Sequence, residues 1–250
     1  MRTCIFCGER AGSREHLWPK WILDMVRPRR IGGFIGLSTG LEFEREFIVR
    51  SVCSACNSGW MSDLETANMP VMGPMIDDKS IALYENERGK IAAWALKTAM
   101  LMDSVTKAHV PLFYTEGERQ ALKESWEIPS ATLIWMGRYL GRNDIGASSS
   151  RVNFRYGSDM APTRVTTFIL GSLLVQIMTM HPPARYRRHN ILVTPKNGPW
   201  DQLLLEVWPC ESLFRLYWPP LIPFDDSKTA LDVSTLADRW HVGEQLSLRR

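Results

Sequence analysis

Two Cys-x-x-Cys pairs constrain this chain more than any other feature: Cys4-Ile-Phe-Cys7-Gly and Cys53-Ser-Ala-Cys56-Asn. Each pair sets two thiolates on one tight turn, which grips one side of a tetrahedral ion, and two such turns close the coordination sphere. This is the four-cysteine arrangement of structural Zn²⁺ sites. The interval from Gly8 to Val52 exceeds the usual ribbon spacing, so it implies an insertion with its own structure between the two knuckles. Iron in a rubredoxin-like site, a redox pair, or two unrelated pairs are the alternatives. Cys210, alone in WPCES, reads as a buried or partly buried thiol without a role.

The cysteine count also bears on compartment. Five cysteines is an odd number, and MRTCIFCGER has no apolar run behind its basic start. Both observations argue against a secreted disulfide framework and for a reducing compartment, with the cytoplasm as the expectation. The most apolar later run, Val165 to Met180, is shorter than the roughly 20 residues that cross a bilayer. It is also interrupted by Thr166, Thr167, Gly171, Ser172, Gln176 and Thr179, so it is expected to be a core element with no membrane role.

At 250 residues, 45% of them hydrophobic, the chain can bury a substantial core as one large domain or two small ones. The expected class is α+β. Residues 1–75 read as a small zinc-bound module, with IGGFIGLSTG as strand and turn material. The stretch ANMPVMGPM, with two prolines, reads as the exit from a helix into a connecting segment, which puts a boundary near residue 75.

Residues 76–250 then form a larger domain with a mostly antiparallel sheet. From Lys90 to Val105, Ile91, Trp94, Ala95, Thr98, Leu101, Met102 and Val105 recur at helical spacing and predict one buried face. A short helix is expected over Glu116 to Trp126. Strands are expected in ATLIWMGRYL, RVNFRYG, NILVTP, QLLLEVW and LFRLYW. WPPLIPF then leads off the last strand toward a C-terminal helix opening at Asp232 or Ser234.

Between the knuckles stands Ser13-Arg14-Glu15-His16, followed by Leu17-Trp18-Pro19-Lys20-Trp21, with a helix expected from Pro19 to about Met25. The order Cys-x-x-Cys, acid-His, Cys-x-x-Cys-Asn resembles the HNH superfamily of ββα-metal (His-Me finger) nucleases, most closely its endonuclease VII-like branch. The resemblance covers residues 3–66 and leaves the rest of the chain unassigned.

It implies that Cys4, Cys7, Cys53 and Cys56 hold a structural Zn²⁺, that His16 is the general base, and that Glu15 and Asn57 ligate a catalytic Mg²⁺ or Mn²⁺. An imidazole with a pKa near 6.5 suits activation of water at neutral pH, and a hard cation suits carboxylate and amide oxygens. On an extended strand Glu15 and His16 point to opposite faces, so both reach one ion only where the strand ends or bends.

Each residue also has an ordinary reading. His16 serves as a hydrogen-bonded structural residue, Glu15 as a surface charge or as acceptor of a hydrogen bond from a knuckle amide, and Asn57 as the cap of a helix starting near Ser58. The chain departs from the family pattern in having Glu where Asp is common. It also lacks the final His or Lys of many HNH helices. Glu65, at successive intervals of four from Asn57 through Met61, is a further candidate for the metal or substrate, with a surface or internal salt bridge as its ordinary reading.

Phosphate contacts are expected from Arg14, Lys20, Arg29 and Arg30, with Arg27, Arg45, Arg50 and the cluster Arg185 to His189 as further candidates. The net charge of +3 permits a basic patch without requiring one. The function this resemblance implies is a metal-dependent endonuclease acting on DNA, with RNA as the secondary candidate, in restriction or antiviral defence, and with room for a homo-oligomer through the C-terminal domain. The alternative is a non-catalytic zinc module that binds nucleic acid or protein. No Walker loop, dinucleotide glycine fingerprint or His-Glu-x-x-His motif points to another enzyme.

Overall fold

The computed structural model describes residues 2–26, 47–105, 110–141, 144–156, 159–182, 190–195, 203–210, 215–225 and 240–245. Strand β1 (Glu15–His16) pairs antiparallel with β2 (Ile48–Val49), Glu15 opposite Val49 and His16 opposite Ile48. Between them helix α1 (Lys20–Met25) starts directly after Pro19, whose fixed φ suits the first turn, and it buries Ile22 and Leu23.

After β2 the chain turns into α2 (Ser54–Cys56), passes through a wider π-type turn at Asn57–Met61, and continues as α3 (Ser62–Ile76). Gly59 departs from helical geometry inside that turn, with φ −97° and ψ −118°. The segment expected to leave the helix near residue 70 is helix, with Pro70 and Pro74 inside α3. A proline removes one N–H and frees the carbonyl four residues earlier. Pro70 and Thr66 are both exposed, which leaves that carbonyl open to solvent, and the apolar residues Val71, Met72, Met75 and Ile76 stay buried on the other side.

Strand β3 (Ile81–Leu83) precedes the long helix α4 (Glu85–Ser104). The expectation of one buried face on α4 is exceeded. From Ile91 to Asp103 every residue is buried, including Ala92, Ala93, Leu96, Ala99 and Met100 on the side opposite the expected stripe. α4 is therefore the central element of the core, packed by α3 on one side and a sheet on the other, and its alanines permit close approach. Asn68 of α3 donates through Nδ2 to the Leu64 carbonyl (2.8 Å) and to that of Lys90 (3.1 Å), fastening the two helices. The short helix α5 (Glu116–Ser125) carries a capping box in which Thr115 and Glu118 satisfy each other's backbone N–H.

The sheet is antiparallel throughout, as expected. Strands β4 (Thr132–Arg138), β5 (Ile145–Tyr156), β6 (Asp159–Leu170), β7 (Leu173–Met180) and β9 (Leu204–Trp208) lie in the order β5-β6-β7-β4-β9. The run Val165 to Met180 is thus the inner part of a β6–β7 hairpin, buried as expected. Gly171 at its turn has φ +56°, and a Cβ there would stand 2.6 Å from the Ile76 carbonyl oxygen. Only glycine lets the hairpin sit this close to the end of α3, where Ser172 N–H donates to that carbonyl at 3.0 Å.

Two further pairs complete the described structure: β3 with β10 (Leu216–Trp218), and β8 (Asn190–Pro195) with β11 (Trp240–Gln245). β11 is a strand beyond the Pro-rich WPPLIPF, where no further strand was expected. The C-terminal helix expected at 232–239 and the Gly-rich stretch 31–40 lie outside the described residues.

One apolar cluster contains Phe6, Trp18, Leu64, Trp94, Phe168 and Trp218, so it crosses residue 75. Phe168 of β6 meets Trp18 edge-on at 5.5 Å between ring centroids and Trp94 at 5.7 Å, joining the N-terminal segment, α4 and the sheet at one point. A fragment ending at residue 77 leaves Trp18 and Leu64 without these partners. It is expected to lack a cooperative thermal transition by circular dichroism even with zinc present, and a fragment that melts cooperatively would show that the segment folds alone.

Candidate zinc centre and the carboxylate cluster beside it

The first knuckle is held by its own backbone: Cys4 N–H donates to the Glu9 carbonyl (2.7 Å) and Gly8 N–H to that of Cys4 (2.9 Å). Gly8 has φ +76°, the left-handed conformation that closes such a turn. In the second, Cys53 stands just before α2 and its sulfur accepts from Cys56 N–H at 3.4 Å. The knuckles are tied together by Ile5 N–H to the Ser51 carbonyl (2.9 Å), and by Gly12 and Ser13 N–H to that of Val52 (3.1 Å each).

The Sγ atoms of Cys4, Cys7, Cys53 and Cys56 all lie within 4.8 Å of one another, with Cys7 and Cys53 3.5 Å apart. A tetrahedral ion with Zn–S bonds of about 2.3 Å requires sulfurs about 3.8 Å apart, so the cluster can hold a metal ion such as zinc. Among the described residues it is the one group of three or more His, Cys, Asp or Glu close enough to share an ion. All four cysteines are free of disulfides, and only Cys7 is less than fully buried. Burial lifts the Cys56 thiol well above its ordinary range, so an ion entering here must displace a proton.

The surroundings brace the site: Phe6 meets Trp60 edge-on at 4.9 Å, and Arg119 of α5 donates through Nε to the Ile5 carbonyl at 2.5 Å. Trp60 thus packs against the first knuckle.

Next to this cluster, β1 turns its two residues opposite ways. Glu15 is buried at 6% exposure while His16 is half-buried. Glu15 therefore points into the core and is not the surface charge of the ordinary reading. There it meets Lys97 of α4, itself 0% exposed, whose Nζ stands 3.9 Å from Glu15 Oε1 and 2.8 Å from Glu65 Oε1. The Glu15 carboxyl accepts no hydrogen bond from the described residues. Burial pushes it up to about 7; the Lys97 charge partly offsets this, and the Glu65 charge adds to it.

Glu65 is thus brought to the same ammonium as Glu15, in an internal salt bridge, which is the ordinary alternative to a metal role. Asn57 is not the N-cap of the helix. It closes α2 with helical φ −63° and ψ −52°, two residues before the break at Gly59, and its N–H donates to the Cys53 carbonyl at 3.0 Å. The helix begins four residues earlier than expected because the Cys53 sulfur takes the capping role. Neither His16 nor the Asn57 side chain has a hydrogen-bond partner among the described residues. Arg14 and Lys20 flank β1 and are exposed. Arg27, Arg29, Arg30, Arg45 and the cluster 185–189 lie outside the described residues.

Sequence reasoning missed Lys97. Its signal was available: Ala93, Trp94, Met100 and Leu101, at three and four residues on either side, are all apolar, which places a lysine inside a buried stripe. A second charged position on α4, Asp103, is held by Arg164 (3.1 Å), Arg151 (3.0 Å) and Phe113 N–H (2.6 Å) and fastens the helix to β5 and β6.

No family model, no curated protein and no solved structure matches this chain. No helix among the described residues is long and apolar enough to cross a membrane.

Proposed function

We propose that the protein is a metal-dependent endonuclease of the HNH type, hydrolysing phosphodiester bonds of DNA. The observation that supports this most is the order of elements around the cysteine cluster. An antiparallel pair carries Glu15 and His16 on its first strand, and a helix carrying Asn57 and Glu65 starts at the second cysteine pair. That order resembles the ββα-metal one, with Cys56 of the candidate zinc site next to Asn57 in the chain.

In this reading Glu15, Glu65 and Asn57 hold a Mg²⁺ or Mn²⁺, whose chemistry is to polarise the phosphate and stabilise the leaving oxygen. Two of them share a cation position already, and Glu15 retains unused acceptor capacity, so the oxygen donors suit a hard ion. His16 would take the proton of the attacking water through a ring nitrogen that no described residue occupies; because β1 turns Glu15 and His16 opposite ways, this role requires the backbone to bend where the strand ends at His16. Arg14 and Lys20, exposed beside β1, attract the phosphate backbone.

Plasmid, single-stranded DNA and RNA incubated with the protein in Mg²⁺, Mn²⁺ or EDTA test this directly. Cleavage of DNA with a divalent ion and none in EDTA is expected. Binding without cleavage under every condition would favour a zinc module that only binds nucleic acid or protein. One observation already leans that way: Lys97 partly neutralises Glu15, as it would in a purely structural cluster.

A further inference from the structure

We infer that Lys97 is a tethered cation of this site: from inside the core, its ammonium fills part of a cation position formed by Glu15 and Glu65, and so sets how strongly that position takes a divalent ion. The inference rests on the metal-dependent reading above, but its test needs no cleavage.

An ammonium is driven from an apolar interior unless opposite charge and hydrogen bonds replace its water. Lys97 Nζ makes one short contact, 2.8 Å to Glu65. It also lies 5.6 Å from the centroid of the Trp94 ring, whose negative face favours a cation. From Glu15 it stands 3.9 Å away, beyond hydrogen-bond reach. Two carboxylates therefore converge on one ammonium.

The more buried of them, with its side chain 7% exposed, accepts no hydrogen bond from the described residues. Its pairing with Lys97 is the long one of the two, at 3.9 Å, which marks where the ammonium falls short of filling the position. A hard divalent ion takes carboxylate oxygens and completes its sphere with water, and the Glu65 side chain, 22% exposed, leads from this position to solvent. The lysine and the divalent ion then compete for the same two carboxylates. The lysine comes from α4, outside the stretch that carries the family resemblance, so the site is completed by the larger part of the chain. Lys97 acts through the carboxylates and is a positioning residue.

The test is a Mn²⁺ titration of the zinc-loaded full-length protein, with free Mn²⁺ read by electron paramagnetic resonance. Lys97→Met is expected to tighten Mn²⁺ binding by about tenfold or more, because a fixed positive charge a few ångströms from the ion is removed. Lys97→Arg keeps the charge and is expected to stay near the wild-type value. Glu15→Gln and Glu65→Gln in the wild-type background should each weaken binding by about tenfold, and Glu15→Gln added to Lys97→Met should erase the gain.

Equal Mn²⁺ affinity in wild type and a folded Lys97→Met protein would overturn the inference, as would a gain that survives Glu15→Gln. If Lys97→Met does not fold, Lys97→Gln takes its place under the same criteria. The two glutamine variants of the carboxylates then give an independent decision, since unchanged affinity in both removes the position itself. Failure here and failure of the proposed function are separable. Mn²⁺ binding that responds to Lys97 with no cleavage of any substrate keeps this inference and removes the nuclease. His16-dependent cleavage with no Mn²⁺ response to Lys97 does the reverse.

Discussion

Replacing His16 with alanine is expected to lower cleavage of DNA by about 10²- to 10⁴-fold, the range that a positioned general base contributes. Zinc content and the melting curve should remain those of the wild type. The geometry supports this separation of effects. His16 lies on the outward face of β1 and is half-buried, and its ring is hydrogen-bonded to no described residue. Truncating it removes little packing and breaks none of the polar contacts that hold the knuckles or α4. Glu15, its neighbour, behaves oppositely because it faces Lys97 in the core. A His16→Ala protein with full activity would remove the histidine from the mechanism. One that loses zinc or melts early would show that the residue is structural.

The second large effect is expected on stability. Zinc bound by four cysteines contributes about 10–16 kcal/mol of apparent binding free energy in small zinc-dependent peptides, comparable to the whole stability of an ordinary domain at about 5–15 kcal/mol. Here the loss should not stay local. Phe6 between the ligands, Val52 beside them and Trp18 beyond β1 belong to the same apolar cluster as Trp94 and Phe168. Cys53→Ser, or exhaustive chelation, is therefore expected to abolish the cooperative transition of the entire chain. Metal analysis should find one zinc per chain in the wild type and none in the variant. An unchanged melting temperature after complete metal removal would show that the cluster does not hold the fold together.

Much of this architecture was legible along the chain. The strands in ATLIWMGRYL, QLLLEVW and LFRLYW, the helix through Trp94 and the capped helix at Glu116 follow from side-chain periodicity and local capping, which depend on neighbours only a few residues away. α3 was misread because a proline's cost depends on whether its orphaned carbonyl faces water. That is a property of the helix's orientation in the fold and not of the proline. The burial of α4 on every side was underestimated for a related reason: spacing identifies the most apolar face, whereas the number of neighbours an element acquires is set by where it lies.

The same division runs through the site. The four candidate metal ligands could be read from sequence because a Cys-x-x-Cys turn fixes two sulfurs locally, and two such turns suffice for one tetrahedral ion. The candidates Glu15, His16 and Asn57 came from their order relative to those turns. Tertiary structure alone decided that Glu15 points inward, that Asn57 closes α2, and that a lysine from α4 meets Glu15 and Glu65. No local rule brings together charges from a strand and two helices. Their meeting depends on packing α4 through the centre of the molecule, where desolvation drives an ammonium toward the carboxylates within reach.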